Sequence, residues 1–400
     1  MEFGPIVRVI LRNKIRFGLI VLQIAITLAV VTNAINMILA ERTRMLRPSG
    51  FDDDNIMWVR SKPFAAAFKD RPYRLASAAA DLRELATIPG IVAAANTNFL
   101  PWQGGGSSGS MKAAGAPGGT FQVQTYVTTP GIINTLGVHM VEGRDLRETD
   151  IDDDPNSKHN TVIISRDMER LLFGSRSAVG QQMIEGDGAT TDTIVGVFDP
   201  FYNPYGFPIE KYGVFYCGHV SYGGAVFLVR TKPGAMKSVA AQIEKRLVAI
   251  NDGRNVEIKT ISEIKSNYFN ESRIIIGGMM AVIVLIIIVT GLGIVGVTSF
   301  AVTERTKQIG TRRALGATKP AIVRYFLVEN WMITTFGATL GLAFAYGLNI
   351  LLVTTTEAAK LDWHLIAVGI ALLWTLCILA TLAPAIRAAS LPPVIATRAV

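Results

Sequence analysis

Four long apolar runs constrain this chain more than any other feature. They are Phe17 to Leu39, Arg273 to Phe300, Leu327 to Val353 and His364 to Ala385. The first is apolar for about 23 residues, and a helix of that length crosses the hydrocarbon of a bilayer. It exceeds the apolar part of a signal peptide, and Leu39-Ala40 is a poor cleavage site, so it reads as a retained span with the N-terminus inside. The pattern predicts membrane helices over residues 17–40, 271–302, 327–353 and 364–386. Gln23, Thr27, Asn33 and Asn36 are polar for a lipid-facing helix, so they are expected to face other helices. Gly277, Gly278, Gly291, Gly293 and Gly296 would allow close helix contact in the second span. Gly337 and Gly341 form a small-residue pair at four-residue spacing in the third, extended by Ala345.

Half of the 400 residues are apolar and the formal net charge is +8. Such a charge invites a nucleic-acid reading, but its distribution removes it. Acidic and basic residues cancel across 41–270, and the excess lies in the two tails and in residues 303–326. That segment carries Arg305, Lys307, Arg312, Arg313, Lys319 and Arg324 against Glu304. Positive charge beside membrane spans marks the cytoplasmic side, which also takes residues 1–16 and 387–400. Arg8, Arg12 and Arg16 recur at four-residue spacing, which fits an amphipathic helix on the inner surface or a basic flank that sets topology. Glu329 lies a few residues into the third span, where an ionisable group needs a partner or water; Arg305 and Arg324 are the candidates.

Residues 41–270 form one large loop outside the cytoplasm. Strands are expected at Asn55–Arg60 and Ile91–Thr97 around a helix near Tyr73–Thr87. The pattern repeats as Ala225–Arg230, Gly234–Ile250 and Val256–Ile261. Two strand-helix-strand units make a split α+β domain over about 50–110 and 224–262. Between them, 111–223 reads as an inserted strand-rich domain, with strands at Thr120–Thr128, Thr161–Ser165 and Thr193–Phe198. In the first of these, Phe121, Val123, Thr125 and Val127 share a face. The Gly/Ser-rich run Gln103–Gly119 reads as a flexible loop.

Several chemistries are missing from the sequence. There is no phosphate-cradling G-x-x-x-x-G-K-[ST] loop. Gly104, Gly106 and Gly109 match a dinucleotide fingerprint in spacing, but Pro101-Trp102 precedes them rather than a strand. Asp150, Asp152 and Asp154 imitate the start of a calcium loop, which fails at Pro155 and Thr161. The four histidines show no metal-ligand spacing, and Cys217 and Cys377 fall on opposite sides of a membrane boundary, so neither a metal site nor a disulfide is expected. No catalytic residues are assigned, and no enzyme activity is expected of the chain.

The run from Glu304 to Asn330 resembles the segment between the second and third spans of MacB/FtsX-type (type VII) ABC transporter permeases. Glu304, Arg305, Ile309, Gly310, Arg312, Arg313, Ala314, Leu315, Gly316 and Ala317 match that pattern, as do Phe326, Leu327 and Glu329; Gln308 stands where the family usually has Glu. The stretch ending in Gly143-Arg144-Asp145 is similar to the family's periplasmic signature, although the tripeptide by itself is not specific and reads first as a turn closed by Asp145. The closing Pro393 and Ala396 fit too, with Arg398 displaced by one. The resemblance implies a permease of the bacterial inner membrane that works as a dimer, with a second copy or a related permease. ATP and Mg would be bound by a separate cytoplasmic ATPase, docking at Glu304, Arg305, Ile309, Gly310, Arg312, Arg313, Leu315 and Gly316. It implies movement of a periplasmic domain driven from the cytoplasm, for export of a periplasmic or membrane substrate. A periplasmic adaptor would be a further partner; membrane lipids are partners and nucleic acid is not. The alternative is a non-transporting signalling module that controls a periplasmic enzyme.

Overall fold

The computed structural model describes residues 14–115, 119–153, 159–186, 188, 190–202, 211–220, 224–356, 359–390 and 392. Most of the N-terminal amphipathic segment, Asp154, Pro155 and the closing Pro393, Ala396 and Arg398 lie outside these residues. The chain divides into two compact units, one of residues 1–46 with 272–400 and one of residues 47–271. It enters through α1 (Lys14–Leu46).

The large unit opens with β1 (Ile56–Pro63), α2 (Arg71–Thr87) and β2 (Ile91–Asn96). Next come β3 (Phe99–Leu100), β4 (Gly104–Gly105), β5 (Ser107–Ala113), β6 (Phe121–Thr128), α3 (Ile132–Leu136) and β7 (Met140–Gly143). They are followed by β8 (His159–Ser165), α4 (Arg166–Phe173), β9 (Gln182–Glu185), β10 (Thr191–Phe198) and β11 (Gly213–Cys217). The chain returns with β12 (Val226–Thr231), α5 (Met236–Ile250), β13 (Arg254–Thr260) and α6 (Ile261–Tyr268). Local chemistry sets several helix starts. Asp70 accepts the Tyr73 N–H ahead of α2, with Pro72 in its first turn. Thr260 and Glu263 cap α6 reciprocally.

β13, β1, β12 and β2 form a four-stranded antiparallel sheet in that order. Its core joins Met57, Val59, Phe227 and Val229 to Ala78 and Leu85 of α2 and Val239, Ile243 and Leu247 of α5. Arg254 pairs bidentately with Asp81 inside this core and also donates to the Leu247 carbonyl at 2.7 Å, so one buried side chain ties β13 to both helices.

The middle strands form the second sheet, β7-β10-β8-β11-β6-β5-β9, and β9 pairs back onto β10. Six strands therefore close into a small barrel with β7 added outside the ring. Closure removes exposed strand edges. Val123, Val162, Ile164, Met183, Ile194 and Val214 pack with Met168 and Phe173 of α4.

Three expectations need correction. Gln103–Gly119 is not a loop throughout: β5 lies within it and pairs with β6 on one side and β9 on the other. Strand pairing uses backbone groups, so a polar, small-residue sequence can supply a barrel strand. Gly106, at φ 72°, is sterically required, since a Cβ there would lie 2.4 Å from Tyr126 Cδ1 and 2.5 Å from the Thr125 carbonyl. The barrel thus starts at Ser107, before the expected boundary at 111. The insertion is also not self-contained, because α3 packs against β2 and β12 of the other sheet. Finally, β6 buries Val123, Tyr126 and Thr128 while Phe121 is exposed. The strand serves two cores in turn: Val123 faces the barrel interior, and Tyr126 meets Phe99 edge-on at 4.8 Å in a separate aromatic cluster.

The membrane-type unit adds α7 (Asn270–Glu304), α8 (Thr306–Ala314), α9 (Lys319–Thr356) and α10 (Trp363–Ala389). Among the described residues, four helices are long and apolar enough to cross a membrane: α1, α7, α9 and α10. α9 packs closely along α1 because Gly337 and Gly341 carry no side chain. A Cβ at 337 would lie 2.7 Å from Ile24 Cγ2, and one at 341 would lie 3.0 Å from Ala25 Cα. In α7 only part of the glycine expectation holds within this chain: Gly293 meets the Gln23 side chain and Gly291 faces Leu376, but Gly277, Gly278 and Gly296 face open space. Thr27 and Thr290 share a hydrogen bond of 2.8 Å between α1 and α7. Asn33 donates to the Ala345 carbonyl at 3.0 Å and accepts from Asn349, which in turn accepts the Leu361 N–H at 3.0 Å.

Candidate functional site

The basic segment folds as a short helix and a tight turn. α8 ends in a Schellman arrangement: Gly316, at φ 95°, donates its N–H to the Arg313 carbonyl and Ala317 donates to that of Arg312. Thr318 then accepts from the Ala321 and Ile322 N–H groups at the start of α9, with Pro320 in the first turn.

The candidate residues divide into two sets. Ile309 and Gly310 are buried, and Ile309 packs with Ile322, Phe326, Ala385, Ala388 and Ala389, which joins α8 to α9 and α10. Arg313 donates to the Ala389 carbonyl at 3.1 Å. Arg305 is buried as well and donates to Glu329 Oε2 at 2.9 Å. Of the two candidate partners for Glu329, the structure brings in Arg305 and leaves Arg324 exposed. Arg305, Ile309 and Gly310 therefore face the helix bundle.

The second set is outward. Leu315 is 83% exposed at the tip of the turn, among exposed Lys307, Arg312, Gly316 and Lys319. The Arg312 guanidinium lies 5.1 Å from the Tyr325 ring centroid. Glu304 is half-exposed and pairs with Arg16 of α1 at 3.1 Å, while Arg16 also stacks over Phe300. The exposed part of the segment therefore combines one large apolar side chain with several cationic ones.

The Gly143-Arg144-Asp145 motif is structural. A Cβ on Gly143 would lie 2.3 Å from the Val195 carbonyl, so glycine lets β7 close on β10. Arg144 holds Asp150 through two bonds of 2.6 and 2.9 Å, and this guanidinium keeps the Asp150 carboxyl below its ordinary value. Asp145 accepts the Leu146 N–H, and burial pushes its own carboxyl up. A cavity of about 460 Å³ is lined by Asp152, Asp153, Glu185, Tyr216 and His219 among others. Burial there, with Asp192 accepting the Tyr216 hydroxyl at 2.7 Å, pushes the phenol up. Burial likewise pushes the Cys217 thiol up to about 12. Among the described residues, no cluster of His, Cys, Asp and Glu could hold a metal ion.

Sequence reasoning missed two features. The Asn33–Asn349 link shows in the sequence as two asparagines within apolar runs, but nothing there says that they meet. Trp102 sits at φ 62°, the positive-φ residue other than glycine among those described, and is 2% exposed. Such a backbone costs on the order of 1–3 kcal/mol, which the packing around it must offset.

Four membrane-type helices with a large α/β unit between the first and second define a membrane permease architecture. The chain belongs to the MacB/FtsX-like ABC permease family: residues 17–246 match the MacB-like periplasmic core domain, and residues 280–393 match the FtsX-like permease C-terminal domain. The chain is 26% identical over 270 residues to the macrolide export ATP-binding/permease protein MacB of Chromobacterium violaceum, covering 64% of this chain and 40% of that relative. Its likeness to the uncharacterized ABC transporter permease YknZ of Bacillus subtilis is 25% over 304 residues, covering 73% and 74% of the two chains. The crystal structure of the periplasmic region of MacB from Actinobacillus actinomycetemcomitans aligns with 57% of this chain and 98% of its own, at 14% identity and a TM-score of 0.38.

Proposed function

We propose that the chain is the permease subunit of an ABC transporter in the bacterial inner membrane, driven by a separate cytoplasmic ATPase that binds ATP and Mg. The observation that carries this reading is Leu315, exposed at the glycine turn that ends α8, in a segment whose Lys307, Arg312 and Lys319 are exposed too. The family and the relatives named as ABC transporter permeases support it. Closure of the ATPase would push on α8. Its buried face, pinned by Ile309 and the Arg305–Glu329 pair, would pass that push to α9 and α10 rather than let the turn flex. α7 runs as one helix from Asn270 to Glu304, so a push at its α8 end would be carried along its length.

The excess of basic residues supports an orientation with the tails and α8 in the cytoplasm and the large unit in the periplasm. The working unit is a dimer, with a second copy or a related permease, and the periplasmic domain engages an adaptor. The cargo is a periplasmic or membrane substrate for export, as the names of the macrolide export relatives suggest. Affinity purification of the tagged chain from its native membrane, read by mass spectrometry, tests the reading. Recovery of an ABC ATPase is expected. Recovery of the chain with no ATPase would overturn the coupling assignment.

A further inference from the structure

Two stretches connect the large unit to the rest of the chain: Arg47–Asp53, which follows α1, and Lys265–Phe269, which precedes α7. Both close on one buried side chain, Trp102, in the turn between β3 and β4. The Trp102 indole Nε1–H points to Asp53 Oδ1 at 3.4 Å, and Lys265 Nζ donates to Asp53 Oδ2 at 2.8 Å. The same ammonium lies 4.9 Å from the Trp102 ring centroid. Tyr268 and Phe269 pack on that ring at 5.8 and 5.4 Å. On its other flank Tyr202 packs at 6.0 Å, receives the Arg47 guanidinium over its own ring at 4.0 Å and donates its backbone N–H to the Ser49 carbonyl at 2.7 Å. Incoming and outgoing chain thus meet through an ion pair, a hydrogen bond and four aromatic rings.

We propose that Trp102, with Asp53, Lys265 and Tyr202, is a clasp that locks the two chain ends of the large unit into one rigid piece, so that both connecting helices act on the unit together. The inference rests on the mechanical reading above, because a clasp matters only if the unit is moved through its ends. Its residues are positioning residues. The geometry is specific for that task. Asp53 and Lys265 lie 212 residues apart in sequence and come from the two opposite ends, so their pair closes a loop that contains most of the unit. The left-handed backbone at Trp102 is the strained element that aims the indole between the ends. A tryptophan that merely filled a core would need neither that conformation nor a charged pair across its edge.

The test uses the full chain in lipid nanodiscs, without nucleotide or ATPase, so its outcome is independent of whether an ATPase docks. Spin labels go on exposed Pro48→Cys and Asn267→Cys, with buried Cys217 and Cys377 replaced by alanine. With the labelled chain diluted into unlabelled chain, pulsed dipolar spectroscopy should show one narrow distance peak. Trp102→Ala and Lys265→Met should each lose that peak to a broad distribution, and Lys265→Arg should keep it. Far-UV circular dichroism and Tm are measured on the same samples. A role confined to stability would lower the Tm and leave the distance peak narrow, which would overturn the proposal. Should Trp102→Ala fail to fold, Lys265→Met decides alone, because methionine keeps the apolar stem and removes only the charge. An unchanged narrow peak in that variant would also overturn it.

Discussion

Replacing Leu315 by alanine separates docking from folding. The side chain is 83% exposed, so its loss should cost the isolated permease almost nothing. In the complex it would be buried in the partner's groove. Leu→Ala removes three carbons worth about 0.8 kcal/mol each on burial, and scaling by the exposed fraction leaves about 2 kcal/mol. That corresponds to an affinity about 30-fold weaker. The assay is titration of the purified ATPase against permease in nanodiscs, with Tm recorded in parallel. Ile309→Ala is the contrasting variant. Ile309 is 5% exposed in the cluster between α8, α9 and α10, and its truncation should destabilise the unit by about 2–5 kcal/mol through the cavity left behind. Leu315→Ala should therefore change affinity without changing Tm, and Ile309→Ala should lower Tm. An unchanged affinity in Leu315→Ala would refute the claim that the turn tip is the docking knob.

Arg305 and Glu329 form a buried pair, and breaking it with Glu329→Leu should cost about 3–5 kcal/mol because an uncompensated guanidinium remains. Combining Glu329→Leu with Arg305→Met should recover most of that loss, read as Tm in a double-mutant cycle. Gly337→Val should disrupt packing between α1 and α9, since even a Cβ would lie 2.7 Å from Ile24; about 1–3 kcal/mol or more is expected, seen as reduced yield and lowered Tm. Lys259 and Lys62 pull the Glu257 carboxyl down from 4.5 to about 2 in the large unit. A depressed folded-state value means that its stabilisation is fully present above pH 4.5 and is lost as the pH falls towards about 2. The pair is largely exposed, so the effect is at most about 1 kcal/mol. Glu257→Gln should remove that part of the acid-induced fall in Tm, and an unchanged pH profile would count against it.

Much of this protein was legible along the chain. Length and apolarity alone identify the helices that contain Phe17–Leu39 and His364–Ala385, because a bilayer span is a one-dimensional requirement. Strand-helix-strand order around Tyr73–Thr87 and Gly234–Ile250 was readable for a similar reason: periodicity and caps are local. The basic segment between α7 and α9 stood out by its residue order, and Gly316 ends α8 as a glycine at such a position does.

Tertiary structure decided what depends on contacts between distant residues. A polar Gly/Ser stretch became β5 because β6 and β9 were there to accept its backbone. The residues of the basic segment were equivalent as a motif, yet packing turned Arg305, Ile309 and Gly310 inward and left Leu315 outward. Glu329 had two arginines within reach in sequence, and the helix geometry selected Arg305. Trp102 gave no sign of its role, since the groups it holds come from stretches far apart in the chain. Local propensity and membrane hydropathy act along the chain and can be read from it, whereas burial and pairing are properties of closure and exist only once the fold brings the parts together.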